Sequence, residues 1–124
     1  GGYLDKLLKI PFSGIQTLIK EIHFNPKHPE NQNIKIPNRK EKYAVVYKDG
    51  NWVFRNKHNV IKNIVDNGYN MLDCHYDAGK LVLEDVKRNR FIHFQEEFEE
   101  NDKCRKKIQE ETELIMLNKT KLKS

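Results

Sequence analysis

Apolar positions along this chain change their period several times, and each change marks an element. Leu4, Leu7 and Leu8 form a short helical face. Pro11 should stop that helix, because an interior proline removes a main-chain donor and clashes with the preceding turn. Ser13 is placed to cap a second series, in which Ile15, Leu18, Ile19 and Ile22 recur at i, i+3, i+4 and i+7. Residues 23–33 lose all periodicity. Ile34-Lys35-Ile36 then alternates, Tyr43-Ala44-Val45-Val46-Tyr47 is β-branched and aromatic, and Trp52-Val53-Phe54 is a third strand-like word. Asp49-Gly50 joins the last two, and a primed hairpin turn needs φ > 0, which glycine adopts at no cost. With a second turn over Pro37 to Lys42, a three-stranded antiparallel meander is predicted.

From Lys57 the helical period returns: Val60, Ile61, Ile64, Val65, Tyr69 and Leu72 make one stripe, with Asn56 available as its cap. Gly68 lies inside that stripe, where glycine costs about 1 kcal/mol against alanine, and predicts a kink or a break. Asp77-Ala78-Gly79 reads as a stop, followed by the short apolar patch Leu81-Val82-Leu83. Residues 85–118 hold neither Gly nor Pro, and Phe91, Phe94, Phe98, Ile108, Leu114 and Ile115 recur at helical intervals. One long C-terminal helix is predicted there, supported by Glu99–Lys103 and Asp102–Lys106 pairs and ending in a frayed basic tail after Asn118. Its stripe thins over 99–107, so that stretch either projects into water or meets a partner, and a homodimer through the C-terminal helix is one reading. The expected fold class is α+β: a small three-stranded antiparallel sheet packed with helices, in one domain spanning 1–124.

Composition narrows the setting. A chain of 124 residues supports one modest core, and 37% apolar against 33% charged residues makes that core lean. No run approaches the roughly 18–20 apolar residues of a membrane span, and no basic-then-apolar leader opens the chain. The Gly1-Gly2 start without Met reads as the edge of a piece cut from a larger protein. Cys74 and Cys104 have no C-x-x-C spacing and read as reduced thiols of an intracellular protein.

Charge is regional. Residues 27–62 carry nine Lys/Arg against three acids, a net +6, while the whole chain carries +5. Such a stretch fits a phosphate-facing surface. Its expected contact residues are Lys35, Arg39, Lys40, Lys42, Lys48, Arg55 and Lys57, and the bland alternative is a solvated Lys-rich sheet face. Tyr43, Tyr47, Trp52 and Phe54 are interleaved with these cations, as in surfaces where bases stack on rings. Core burial is nonetheless the expectation for Val45, Trp52 and Phe54.

The loop between the first helical series and the first strand is unusually shaped. Pro26 and Pro29 fix φ, and Asn side chains supply local hydrogen bonds, so His23, Asn25, Glu30 and Asn31 read as residues that hold the loop's form. A sharper alternative is an HNH-like nuclease built on His23, Asn25, His28 and Asn31. That chemistry needs a histidine base and a metal ligand on the helix after the loop, whereas here strands follow and the next histidine is His58. Cys74, His75, His93 and Cys104 lack zinc-ligand spacing. No phosphate-cradling glycine loop or nucleophile–base pair is present, and no cofactor is expected.

The words Ser13-Gly14-Ile15-Gln16, Ile22-His23-Phe24-Asn25, Pro29-Glu30-Asn31-x-Asn33-Ile34 and Val46-Tyr47-x-Asp49-Gly50-x-Trp52 resemble a domain repeated in many proteins of giant, mimivirus-like DNA viruses. Val60-Ile61 to Gly68-Tyr69 and Glu113-Leu114-Ile115-x-x-Asn118 fit the same pattern, so the resemblance covers nearly the whole chain. In that family the domain usually lies at the C-terminal end, behind a zinc finger, a KilA-N- or Bro-like DNA-binding module, or a helical spacer. The resemblance implies viral origin, a missing N-terminal module and a place in the host cytoplasm, viral factory or virion; it supplies no catalytic residue. The combined expectation is a non-enzymatic nucleic-acid-associated module with DNA the favoured partner. A homo-oligomerisation or protein-interaction domain is the alternative, and the nuclease comes third.

Overall fold

Pro11 opens a helix as well as ending one. The computed structural model describes residues 2–25, 27, 29–79 and 84–123 and starts with α1 (Gly2–Leu8) and α2 (Pro11–His23). Proline suits the first helical position, where its missing N–H has no partner to lose. Ser13 therefore lies inside α2 and does not cap it: its hydroxyl and its N–H both donate to the Ile10 carbonyl, at 3.3 and 3.1 Å. The residues Pro26, His28 and Leu81-Val82-Leu83 lie outside the described residues.

A single 3₁₀ turn (Pro29–Asn31) leads to β1 (Ile34–Lys35), β2 (Tyr43–Lys48) and β3 (Asn51–Asn56), antiparallel and in that spatial order. Asp49 (φ 52°) and Gly50 (φ 85°) both take the left-handed conformation of a primed two-residue turn. That turn fixes the register Tyr47↔Trp52, Val45↔Phe54 and Tyr43↔Asn56. α3 (Lys57–Gly79) follows β3 without a loop, and Asn56 caps it as expected, its Oδ1 accepting from the Asn59 N–H at 2.9 Å.

Gly68 does not break α3, which runs on to Gly79. A Cβ there would lie 3.2 Å from Ile15 Cγ2, so the glycine lets α2 approach. Gly14 does the same from α2, since a Cβ would meet the Leu7 carbonyl at 3.1 Å and Leu72 Cδ1 at 3.3 Å. α1, α2 and α3 meet closely at this pair of glycines. His75 Nε2 and Asp5 Oδ1, 2.7 Å apart, add a polar tie between α3 and α1.

The region read as one helix over 85–118 is two. α4 (Asp85–Glu100) ends at Asn101, whose φ of −115° and ψ of 106° are extended, and α5 (Asp102–Lys123) begins immediately. Asn101 makes the break tolerable by serving both ends. Its N–H donates to the Glu97 carbonyl, closing α4, and its Oδ1 accepts from the Lys103 N–H, opening α5. Arg105 folds back to donate to the Phe98 and Glu99 carbonyls and pairs with Asp102, in place of the expected Asp102–Lys106 contact. The break also ends the Glu99–Lys103 helical spacing. A long C-terminal helix is present, but it spans 22 residues and runs on through the stretch read as a frayed tail. Thr120 Oγ1 donates to the Met116 carbonyl and accepts from the Ile36 N–H, tying α5 to the end of β1.

The core lies between one sheet face and the helices, α3 against β2 and β3 and α5 against β1. Ile36 and Ala44 from the sheet side join Leu7, Ile15, Ile19, Val65, Leu72, Phe91, Phe94 and Met116, all nearly sealed from water. Ile108, Met116 and Leu117 of α5 are buried within the chain, Ile115 is partly buried against the core, and Leu114 is 42% exposed. Replacement of Asn101 by Ala removes the α5 cap and should lower stability by about 1 kcal/mol. Urea unfolding checks this, with the midpoint falling and the slope unchanged.

Candidate nucleic-acid interface

Strand alternation puts Tyr43, Val45 and Tyr47 of β2 on the same face as Trp52 and Phe54 of β3. The opposite face carries Ala44, Val46 and Val53 and meets the helices. Trp52 and Phe54 are therefore not core residues. Tyr43, Tyr47 and Trp52 are 44%, 46% and 43% exposed, and Phe54 is 71% exposed. Val45 between them is half-buried. The rings form two cross-strand pairs: Tyr47–Trp52 with centroids 5.3 Å apart and planes at 65°, and Tyr43–Phe54 at 5.2 Å and 69°. Edge-to-face pairing supports the hairpin, but four rings on one open face form the kind of apolar patch that marks an interaction surface.

Lys35 shares this face and holds its ammonium 4.6 Å from the Trp52 ring centroid. Lys42 precedes β2, Lys48 ends it, Arg55 lies on β3, and Arg39 and Lys40 occupy the turn before β2; all are exposed. Arg55 has core-face parity yet stays open because β3 is an edge strand. Six of the seven expected cations thus sit on or around the sheet. Lys57 does not join them. Its ammonium is 3.1 Å from Glu113 and 2.8 Å from the Arg39 carbonyl, with 12% of its side chain exposed, and it anchors the start of α3 to α5.

The loop residues are engaged in different ways. His23 Nδ1 donates to the Asn31 main-chain carbonyl at 3.3 Å, so the exposed Asn31 acts through its backbone. Asn25 uses its whole amide: Nδ2 donates to Glu21 at 2.8 Å, and Oδ1 accepts from the Lys27 N–H at 2.9 Å. Its carbonyl accepts from Gln32 Nε2. Glu30 is exposed in the 3₁₀ turn.

Half-buried His23 lines a cavity of about 210 Å³ under the sheet, together with Ile22, Asn33, Ile34, Val46 and Ile64. Burial pushes its pKa below the ordinary histidine value, and the Asn31 carbonyl and the Asn33 side chain offset part of that shift. Asn33 Oδ1 is buried near the ring without forming a well-directed hydrogen bond. His23 thus belongs to the loop's interior.

Among the described residues no three His, Cys, Asp or Glu side chains gather closely enough to hold a metal ion, and no helix is long and apolar enough to cross a membrane. His93 packs against Phe12, Cys74 is exposed on α3, and burial raises the pKa of Cys104 on α5. Compared with family models, with curated proteins and with solved structures, the chain matches none.

Two outcomes follow for the loop. Asn25→Ala should lower the melting temperature more than Asn31→Ala, because alanine keeps the carbonyl through which Asn31 acts. His23 has a depressed pKa in the folded state, so the unfolded chain binds the extra proton first and acid weakens the fold. Stability should fall as pH drops from about 7 through the histidine range, and His23→Gln should flatten that part of the melting-temperature profile.

Proposed function

We propose that this domain is a non-enzymatic nucleic-acid-binding module, with DNA the favoured partner, working as one part of a larger intracellular protein of a large DNA virus. The observation that carries the reading is the union of an exposed aromatic sheet face with a local excess of cations. Lys35 shares the face of four open rings, Arg39, Lys40 and Lys42 lie in the turn before β2, and Lys48 and Arg55 are exposed on the strands themselves; among the described residues no ion pair engages any of the six. Cations that no carboxylate neutralises remain available to phosphate. A purely structural lysine is held as Lys57 is, against an acid. The viral setting rests on the quoted sequence words alone.

Binding driven by phosphate neutralisation releases counterions, so affinity must fall linearly in log–log form with salt, by about 0.9 per duplex phosphate contacted. Reversal of Arg39, Lys40 and Lys42 to Glu should weaken binding to every sequence alike and flatten the salt slope, since backbone contacts carry no base information. The melting temperature should barely move, as exposed charges contribute little to stability. Fluorescence anisotropy with labelled oligonucleotides at two salt concentrations measures the affinities and the slope, and thermal unfolding measures the melting temperature. Absence of binding at low salt would remove the proposal.

A further inference from the structure

We infer that the outer face of the sheet is a stacking platform for single-stranded nucleic acid, seating unpaired bases on the Tyr47–Trp52 and Tyr43–Phe54 pairs; this deepens the nucleic-acid reading and rests on it. The ring geometry sets the number of seats. Within each pair the planes are 65° and 69° apart, so a base lying flat on one ring meets the other edge-on. Each pair therefore offers one seat.

The distance between seats selects the strand. Trp52 and Phe54 are two residues apart on β3, a separation of about 6.6 Å along an extended strand. Bases in a duplex follow one another at about 3.4 Å along each strand. Two neighbouring bases can occupy both seats only if they have been pulled off one another. In a duplex they are stacked and paired, and their faces are closed to a protein surface. An unpaired strand can stretch to this spacing without breaking base pairs.

The chemistry of the face agrees. Reading a duplex groove requires donors and acceptors aimed at base edges. Here the outward positions are Tyr43, Val45, Tyr47, Trp52, Phe54 and Asn56, whose Oδ1 is engaged in capping α3, with Lys35 as the cation among them. Stacking needs ring faces and nearby cations, and that is what the face supplies. Lys35 rests over Trp52 on a flexible stem. A phosphate offers its ammonium a full negative charge in place of a ring quadrupole, so an arriving strand draws Lys35 aside and opens the Trp52 face. Stacking tolerates any base, so little sequence preference is expected. Unpaired DNA and RNA share the bases and phosphates this face would recognise.

Trp52 is the single tryptophan, so its fluorescence reports directly on the proposed seat. The protein is titrated with a twelve-nucleotide oligothymidylate, an oligouridylate of equal length, a twelve-base-pair duplex and an abasic strand carrying the same charge. Both single strands should quench Trp52, and the abasic strand should bind roughly tenfold more weakly or worse. A difference between the thymidylate and uridylate arms names the natural strand. Phe54→Ala should weaken oligothymidylate by a similar factor and leave abasic binding unchanged, with only a small fall in melting temperature from the lost Tyr43 pair, because Phe54 is 71% exposed. Equal affinity for duplex, abasic strand and oligothymidylate would overturn the stacking inference and leave the phosphate-binding proposal standing. No binding to any strand would overturn both. If, in addition, the wild type sediments as a dimer that Phe54→Ala dissociates, the face is a contact between protein chains. Should Phe54→Ala fail to fold, the comparison of abasic and base-bearing strands on the wild type still decides.

Discussion

Ile61, Ile64, Val65, Tyr69, Leu72 and Tyr76 form one buried stripe along α3, and the other elements are placed by what they set against it. α1 and α2 reach it through the close approach at Gly14 and Gly68. α4 is held by its phenylalanines: Phe98 stacks on Tyr69 at 4.0 Å and 10°, Phe94 tilts against the same ring, and Phe91 meets Tyr76. The Tyr69 hydroxyl, deep among these rings, donates to Glu99 at 3.1 Å, and burial followed by that carboxylate raises its pKa well above the ordinary phenol value. A ring stack with a satisfied hydroxyl gives both area and orientation, which a purely aliphatic contact would not.

The same stripe decides what the sheet can do. α3 lies against β2 and β3 while α5 covers β1, so the helices account for one face of a three-stranded sheet. Ala44, fully buried, lets α3 approach β2 closely. The large residues of the hairpin alternate with Ala44, Val46 and Val53 and stand on the other side. Four exposed rings are thus a consequence of packing geometry, and they remain a hydrophobic surface in water, a cost to solubility that a binding role would justify. The cations around them raise local solubility and supply the charge that a phosphate backbone requires.

Local chemistry was legible in the sequence wherever one residue type answers one backbone requirement. Asp49-Gly50 supplied the two left-handed positions of the turn, and Asn56 the cap of α3. Partner choice was not. Asn25 and Asn31 look equivalent as letters, yet one acts through its amide and the other through its carbonyl, because the loop turns them in different directions. Lys57 looked like its neighbours, but α5 brings Glu113 to it from 56 residues away. Asn101 carried a readable signal: an asparagine followed by Asp102, with acids before and bases after, is a helix start inside what reads as a helix interior.

By itself the sequence determined the α+β class, the three strands and their order, the two-residue hairpin and hence which side chains share a face, since turn length sets register and alternation does the rest. It also determined that cations concentrate between residues 27 and 62. It could not say which sheet face meets the helices. Aromatic residues mark burial on average, and only the assembled packing, with small Ala44 turned to α3 and α5 returning from Asn101 to cover β1, puts Tyr43, Tyr47, Trp52 and Phe54 in water. Alternation is a property of one strand; inside and outside are properties of everything packed against it.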